Sequence, residues 1–129
     1  MEARVVIKKE KENDFTLEEI LGSTSKFDKI YFNDSLDYVE AEKTLPVLLQ
    51  VKTKLNQKGR IIVQGYDIYE LSYSIVNDRV PTIEYNAVIK DRKQLLSIPD
   101  LMFIFNHLGL KIVSKDIDSL RFLVEAQLD

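Results

Sequence analysis

Phe27-Asp28-Lys29-Ile30-Tyr31-Phe32 is the stretch that decides the fold. Ile30, Tyr31 and Phe32 are consecutive large apolar residues, and Asp34 bounds them. A strand with one wet face alternates apolar and polar side chains. A run that is apolar at every position reads instead as a strand buried on both faces, the habit of central parallel strands. Arg60 to Gln64 repeats the pattern with Ile61, Ile62 and Val63. Parallel neighbours need a crossover, and the residues between these two runs supply one. Thr44 is a candidate cap and Pro46 is tolerated only in a first turn, so a helix is predicted from about Thr44. Leu45, Leu48, Leu49 and Leu55, with Val51 or Lys52 at the margin, recur near the helical period. Lys52, Lys54 and Lys58 lie toward its C-terminal end, where the helix dipole favours cations. Gly59 is the predicted stop.

Working outward, Arg4 to Lys9 is a strand candidate, because Val5, Val6 and Ile7 form a β-branched run. Leu17 to Leu21 reads as one or two helical turns, with Thr16 and Glu19 at capping-box spacing and Gly22 as the stop. Downstream, Gly65-Tyr66-Asp67 turns the chain and Ile68 to Val76 reads as a short helix. Residues 77–90 are interrupted by Pro81, and Thr82 to Ile89 reads as extended. Asp91 to Leu96 looks weakly helical. Ser97-Ile98-Pro99-Asp100 is a stronger start signal, and Leu101, Ile104, Phe105 and Leu108 share one face before Gly109. Leu110 to Asp116 and Leu120 to Leu128 are strands joined so tightly that they must be antiparallel. Alternating strands and helices predict an α/β fold: a mostly parallel sheet with helices on both faces and a C-terminal antiparallel hairpin.

At 129 residues the chain fits one domain, 1–129, with a real core. Apolar residues are 45% and charged residues 30%, which argues against general disorder. The net charge of −3, with no stretch in which Lys and Arg outweigh the neighbouring acids, gives no electrostatic footprint for nucleic acid. The absence of cysteine excludes disulfides, thiolate metal sites and a cysteine nucleophile, and leaves the redox compartment open. One histidine, His107, argues against a His-rich metal site or a Ser-His-Asp triad within one chain, so no metal is expected. No apolar stretch is long enough to span a bilayer, and residues 1–11 lack the apolar segment of a signal peptide. No membrane association is expected, and a cytoplasmic location is the default.

Three passages resemble class I S-adenosylmethionine-dependent methyltransferases. Phe27-Asp28-Lys29-Ile30 resembles the "FD-x-I" start of that family's fourth strand. Lys54-Leu55-Asn56-Gln57-Lys58-Gly59, followed by Arg60-Ile61-Ile62-Val63, resembles its "LKPGG-x-L-x-V" passage into the fifth, with Asn-Gln for Lys-Pro and one glycine for two. Gly109-Leu110-Lys111-Ile112-Val113 resembles its "aGF-x-V" entry into the sixth strand, and Leu120 to Gln127 its antiparallel seventh. The resemblance runs from Phe27 to Asp129 and implies a small Rossmann-like, methyltransferase-like three-layer sandwich. It also implies a departure. The family holds its cofactor with an E/D-x-G-x-G-x-G loop after the first strand and an acid after the second. Here only Gly22, Gly59, Gly65 and Gly109 exist, none close to another. Only one strand is expected before Phe27 where the family has three, so the chain reads as a single truncated domain. By sequence order that strand resembles the family's third. By backbone pairing it must lie directly beside Phe27 to Phe32, since a strand set apart from its sheet would leave backbone groups unpaired. Its outer edge is then expected to be open, which suggests a homodimer or a protein partner along that edge.

The resemblance places Asp14, Phe15, Asn33, Asp34 and Ser35 as the residues for S-adenosylmethionine, and assigns no catalytic residue. Each has a plainer role. Asn33-Asp34-Ser35 are turn formers. Asp14-Phe15 is a loop acid with an apolar anchor for the next helix. Tyr66-Asp67 would line the same crevice, or Asp67 caps the next helix. Tyr31, Tyr38, Tyr66, Tyr69, Tyr73 and Tyr85 form either a partner-binding surface or boundary packing. His107 suits a helix C-terminus. The first functional expectation is a non-catalytic binding or assembly module with no cofactor. The alternative is an S-adenosylmethionine-dependent methyltransferase that relies on a partner subunit for cofactor binding. A third is an unrelated small α/β protein, and strand order decides it.

Overall fold

The computed structural model describes residues 1–129 as one six-stranded sheet with five α-helices. The strands are β1 (Glu2–Val5), β2 (Asp14–Phe15), β3 (Phe27–Asn33), β4 (Leu55–Tyr66), β5 (Lys111–Asp118) and β6 (Arg121–Gln127). The helices are α1 (Leu17–Gly22), α2 (Thr44–Lys52), α3 (Ile68–Val76), α4 (Thr82–Ile89) and α5 (Ile98–His107). The order across the sheet is β2-β1-β3-β4-β6-β5. β2, β1, β3 and β4 run parallel, and β6 alone is reversed, pairing antiparallel with β4 and β5. This is the expected mostly parallel α/β sheet with its closing hairpin, and it excludes an unrelated strand order.

The first strand lies beside β3, as backbone pairing requires, with Ala3 opposite Ile30 and Val5 opposite Phe32. Its bounds differ from the β-branched run. The chain leaves the sheet after Val5, and Ile7 is exposed. The cause is Asp14, which captures the backbone N–H groups of Glu10 and Lys11 and folds residues 6–13 back. Asp14 and Phe15 thereby pair with Arg4 and Val5, so the outer edge of β1 carries β2 and is not open.

Local signals explain most helix ends. Thr16 and Ser97 close capping boxes with Glu19 and Asp100. Asp67 caps α3 by accepting from Tyr69 and Glu70. Gly109 stops α5 at a φ of +73°, where a side chain would be strained. Three expectations are corrected. α2 ends at Lys52, not at Gly59, because the Phe27 amide bonds the Lys54 carbonyl and draws Leu55 into register with Phe27. Gly59 is required for a different reason: a Cβ there would stand 2.7 Å from the Asn56 carbonyl oxygen. Residues 82–89 are helical, not extended. Pro81 sits at the cap, where its missing N–H costs nothing, and its carbonyl accepts from Glu84 and Tyr85. No residue of α4 is buried, so no apolar stripe announced it. Residues 91–96 are not helical; Lys93 and Gln94 bond the Asp37 carbonyl, and Leu96 bridges Asp67.

The apolar core lies against one face of the sheet. Ala3, Val5, Ile30, Phe32, Ile61, Val63, Phe122, Val124 and Ala126 project to it from the strands. Ile20 of α1, Leu48 and Val51 of α2, and Leu101 and Phe105 of α5 cover them. The two faces are unequally covered. On the other face Tyr31, Ile62 and Glu125 form one row and Lys29, Arg60 and Gln127 the next, and of these only Ile62 is buried. Phe103 and Phe105 separate burial from residue type on one helix. Phe105 is fully buried and Phe103 is 61% exposed. Phe105→Ala is expected to cost about 3–5 kcal/mol in urea denaturation. Phe103→Ala is expected to cost about 0.5 kcal/mol or less. Equal losses would contradict this core.

Candidate functional site

In open parallel sheets, ligands bind at the carboxyl ends of the strands where the order reverses. Here the chain moves from β1 outward to β2 and returns to β3, so the reversal lies between β1 and β3. The expected site residues are the ones that follow these strands: Asp14 and Phe15 on one side, and Asn33, Asp34 and Ser35 on the other. The structure divides them into separate environments.

Asp14 is buried and fully engaged. It accepts from Arg4 Nε at 2.9 Å and Nη2 at 3.1 Å, and from the Glu10 and Lys11 amides at 2.9 Å each. The Arg4 hydrogen bonds, helped by those amides, outweigh desolvation and hold its carboxyl well below the usual carboxylate range. Phe15 packs edge-on against Phe27 with ring centroids 5.4 Å apart. The two residues are neither a loop acid nor a helix anchor: they form β2, with Asp14 held by Arg4 and the turn amides and Phe15 packed on Phe27 of β3.

Asp34 follows β3 in the left-handed region at φ 66°, a conformation that Asp tolerates better than most residues. Arg121, from β6, grips it with two bonds of 3.0 Å and reaches Asn33 Oδ1 at 3.1 Å. Arg92 approaches Asp34 at 3.4 Å and bonds Asp37 and the Val88 carbonyl. The guanidinium of Arg92 lies over the rings of Tyr38 and Tyr66, at 5.4 and 5.2 Å, and that of Arg121 over Tyr66 at 4.9 Å. Two carboxylates and two arginines therefore close on one another at the ends of β3, β4 and β6. Asp37, Arg92 and Arg121 were not singled out by sequence. The two arginines are 55 and 87 residues from the acids they hold, so no local spacing reveals the pairing.

Ser35 differs from its neighbours. It is buried, and its hydroxyl has no hydrogen-bond partner. It lines a cleft of about 370 Å³ between β1, α1 and the turn Ser35–Tyr38, with walls that include Val5, Leu17 and Phe32. Asp67 does not line that cleft; its role is the cap of α3. Tyr69 and Tyr73 are exposed. His107 stacks on Phe103 at 4.5 Å on the outside of α5. No group of three His, Asp or Glu residues is arranged to hold a metal ion. No helix is long and apolar enough to cross a membrane.

Burial pushes the Asp37 carboxyl up to about 6, against the pull of Arg92. The unfolded chain ionises this group near pH 3.8, so between roughly pH 4 and 6 only the unfolded state has released the proton. The Asp37 contribution to stability is therefore present below pH 4 and is lost as pH rises to 6. Asp14 works the other way: its contribution is complete above pH 4 and is lost in acid below it. Thermal melts should show Asp37→Asn losing less stability than the parent between pH 4 and pH 6. Parallel profiles for the two proteins would contradict this assignment.

No protein-family profile and no curated protein matches the sequence. Solved structures do. The chain is similar to an O-methyltransferase family protein from Burkholderia thailandensis, with a TM-score of 0.65 and 14% identity over 90% of this chain and 35% of that one. It is similar to the magnesium protoporphyrin IX methyltransferase of Synechocystis PCC 6803 with bound SAH, at TM-score 0.63 and 13% identity, over 91% of this chain and 51% of that one. A SAM-dependent methyltransferase from Archaeoglobus fulgidus aligns at TM-score 0.61 and 11% identity, over 89% of this chain and 67% of that one. The chain thus spans about a third to a half of the first two relatives' length. The fold is that of class I S-adenosylmethionine-dependent methyltransferases.

Proposed function

We propose that this chain is a non-catalytic methyltransferase-like domain that acts as a binding or assembly module. The observation that carries this reading is the state of the acids at the strand ends. Holding a ribose diol needs a carboxylate with free lone pairs. Asp14 is occupied by Arg4 and two backbone amides, and Asp34 by Arg121. The connection after β1, residues 6–13, is Val-Ile-Lys-Lys-Glu-Lys-Glu-Asn and contains no glycine, so it offers no bare backbone for close approach of a nucleoside. Freeing Asp14 would break its bonds to Arg4 and strand buried groups. The residues present therefore do not fit S-adenosylmethionine, and no transfer step is derived through it.

A second reading has one observation in its favour. The cleft at the β1–β3 reversal persists, and a structural relative, the Synechocystis enzyme, carries SAH. On that reading the chain is part of an S-adenosylmethionine-dependent methyltransferase whose cofactor contacts come from a partner subunit.

Isothermal titration with S-adenosylhomocysteine separates the two. The isolated chain is expected to give no saturable heat. A dissociation constant in the micromolar range would overturn the non-catalytic reading.

A further inference from the structure

The cleft between β1, α1 and the turn Ser35–Tyr38 has walls of a kind the engaged acids do not explain. Val5, Val6, Leu17, Phe32 and Tyr38 surround a space of about 370 Å³, at the small end of the range for ligand sites. Ser35 lines it too. Its Oγ is shut from bulk solvent and bonds to nothing in the protein. A buried hydroxyl without a partner is costly. Most buried polar groups are satisfied, and the other buried side-chain oxygens and nitrogens of this chain are. For this hydroxyl to meet a group seated in the cleft, the Ser35 side chain must turn toward it.

We infer that this cleft binds a small, uncharged, mostly apolar molecule that carries one carbonyl or hydroxyl group, which bonds Ser35 Oγ. The inference rests on the non-catalytic reading above and supplies the ligand class that reading lacks. Charge decides the class. Glu18 stands at the rim and no Lys or Arg lines the cleft, so nothing there would hold an anion. Arg92 and Arg121 are already paired and are not free to attract one. A cation would have to shed its hydration against Val5, Leu17 and Phe32, with only the exposed Glu18 at the rim to receive it. A neutral ring or short chain incurs neither cost. Its burial is driven by the apolar walls, and the Ser35 hydroxyl orients it.

The probe is 6-propionyl-2-dimethylaminonaphthalene, an uncharged fluorescent ketone, titrated with the full chain. Saturable one-to-one binding with a blue-shifted emission is expected. Ser35→Ala should weaken it about tenfold, as loss of one buried hydrogen bond predicts, and should not lower the melting temperature of the free chain, since it removes an unpartnered hydroxyl. Amide shifts on titration should centre on Val5, Val6, Ser35 and Val39. No saturable binding, binding that Ser35→Ala leaves unchanged, or shifts centred elsewhere would overturn the inference. Adding S-adenosylhomocysteine to the same samples keeps the two claims apart. If it binds while the ketone remains bound, only the non-catalytic reading falls. If neither binds, only the ligand class falls. If it displaces the ketone, both fall.

Discussion

Asp34 and Asp37 sit within one turn of each other at the carboxyl end of β3, and two carboxylates that close are tolerated only beside cations. Arg121 reaches Asp34 from β6, and Arg92 reaches Asp37 from the segment after α4. Tyr66, at the end of β4, lies beneath both guanidinium groups. Four parts of the chain are thus fastened at one point. The position of α4, the irregular path of residues 91–96 and the exit from β4 all follow from it. The Arg92–Asp37 pair is little exposed, and such a pair is weak evidence for stability but a strong determinant of arrangement, because breaking it leaves the other charge stranded.

The same fastening shapes function. A strand-end crevice in an α/β sheet becomes a cofactor site when its acids and amides face an open space. Here the charge is spent internally, by Arg4 on Asp14 and by Arg121 and Arg92 on Asp34 and Asp37. What remains at the β1–β3 reversal is a mostly apolar cleft and, buried beside it, the unpartnered hydroxyl of Ser35. The methyltransferase-like fold is present, and the acids at its strand ends are engaged by arginines. Fold and function separate at the level of individual side chains.

Much of this architecture was legible in the sequence where the physics is local. The continuous apolar runs at Ile30–Phe32 and Ile61–Val63 announced central parallel strands, and Thr16, Asp67, Ser97 and Gly109 marked helix ends by capping chemistry. Legibility failed where tertiary contacts override local preference. Val6 and Ile7 favour strand but are pulled out by the bonds to Asp14. Gly59 looked like a helix stop and is instead a close backbone approach. Helix α4 was missed because it buries nothing. In the site, Asn33, Asp34 and Ser35 lie at the carboxyl end of β3, whereas Asp14 and Phe15 form the edge strand β2 and not a loop. Their roles were hidden because the arginines that engage the acids are remote in sequence, and an unpartnered hydroxyl leaves no sequence signal.

The central claim is that this arginine–carboxylate knot is an energetic unit and not a set of independent surface charges. A double-mutant cycle on Arg92→Met and Asp37→Asn, read by urea denaturation at pH 7, measures it most directly. The account predicts a coupling free energy of about 1 kcal/mol or more, the range for contacting residues in one buried network. Losses that add without coupling would contradict it.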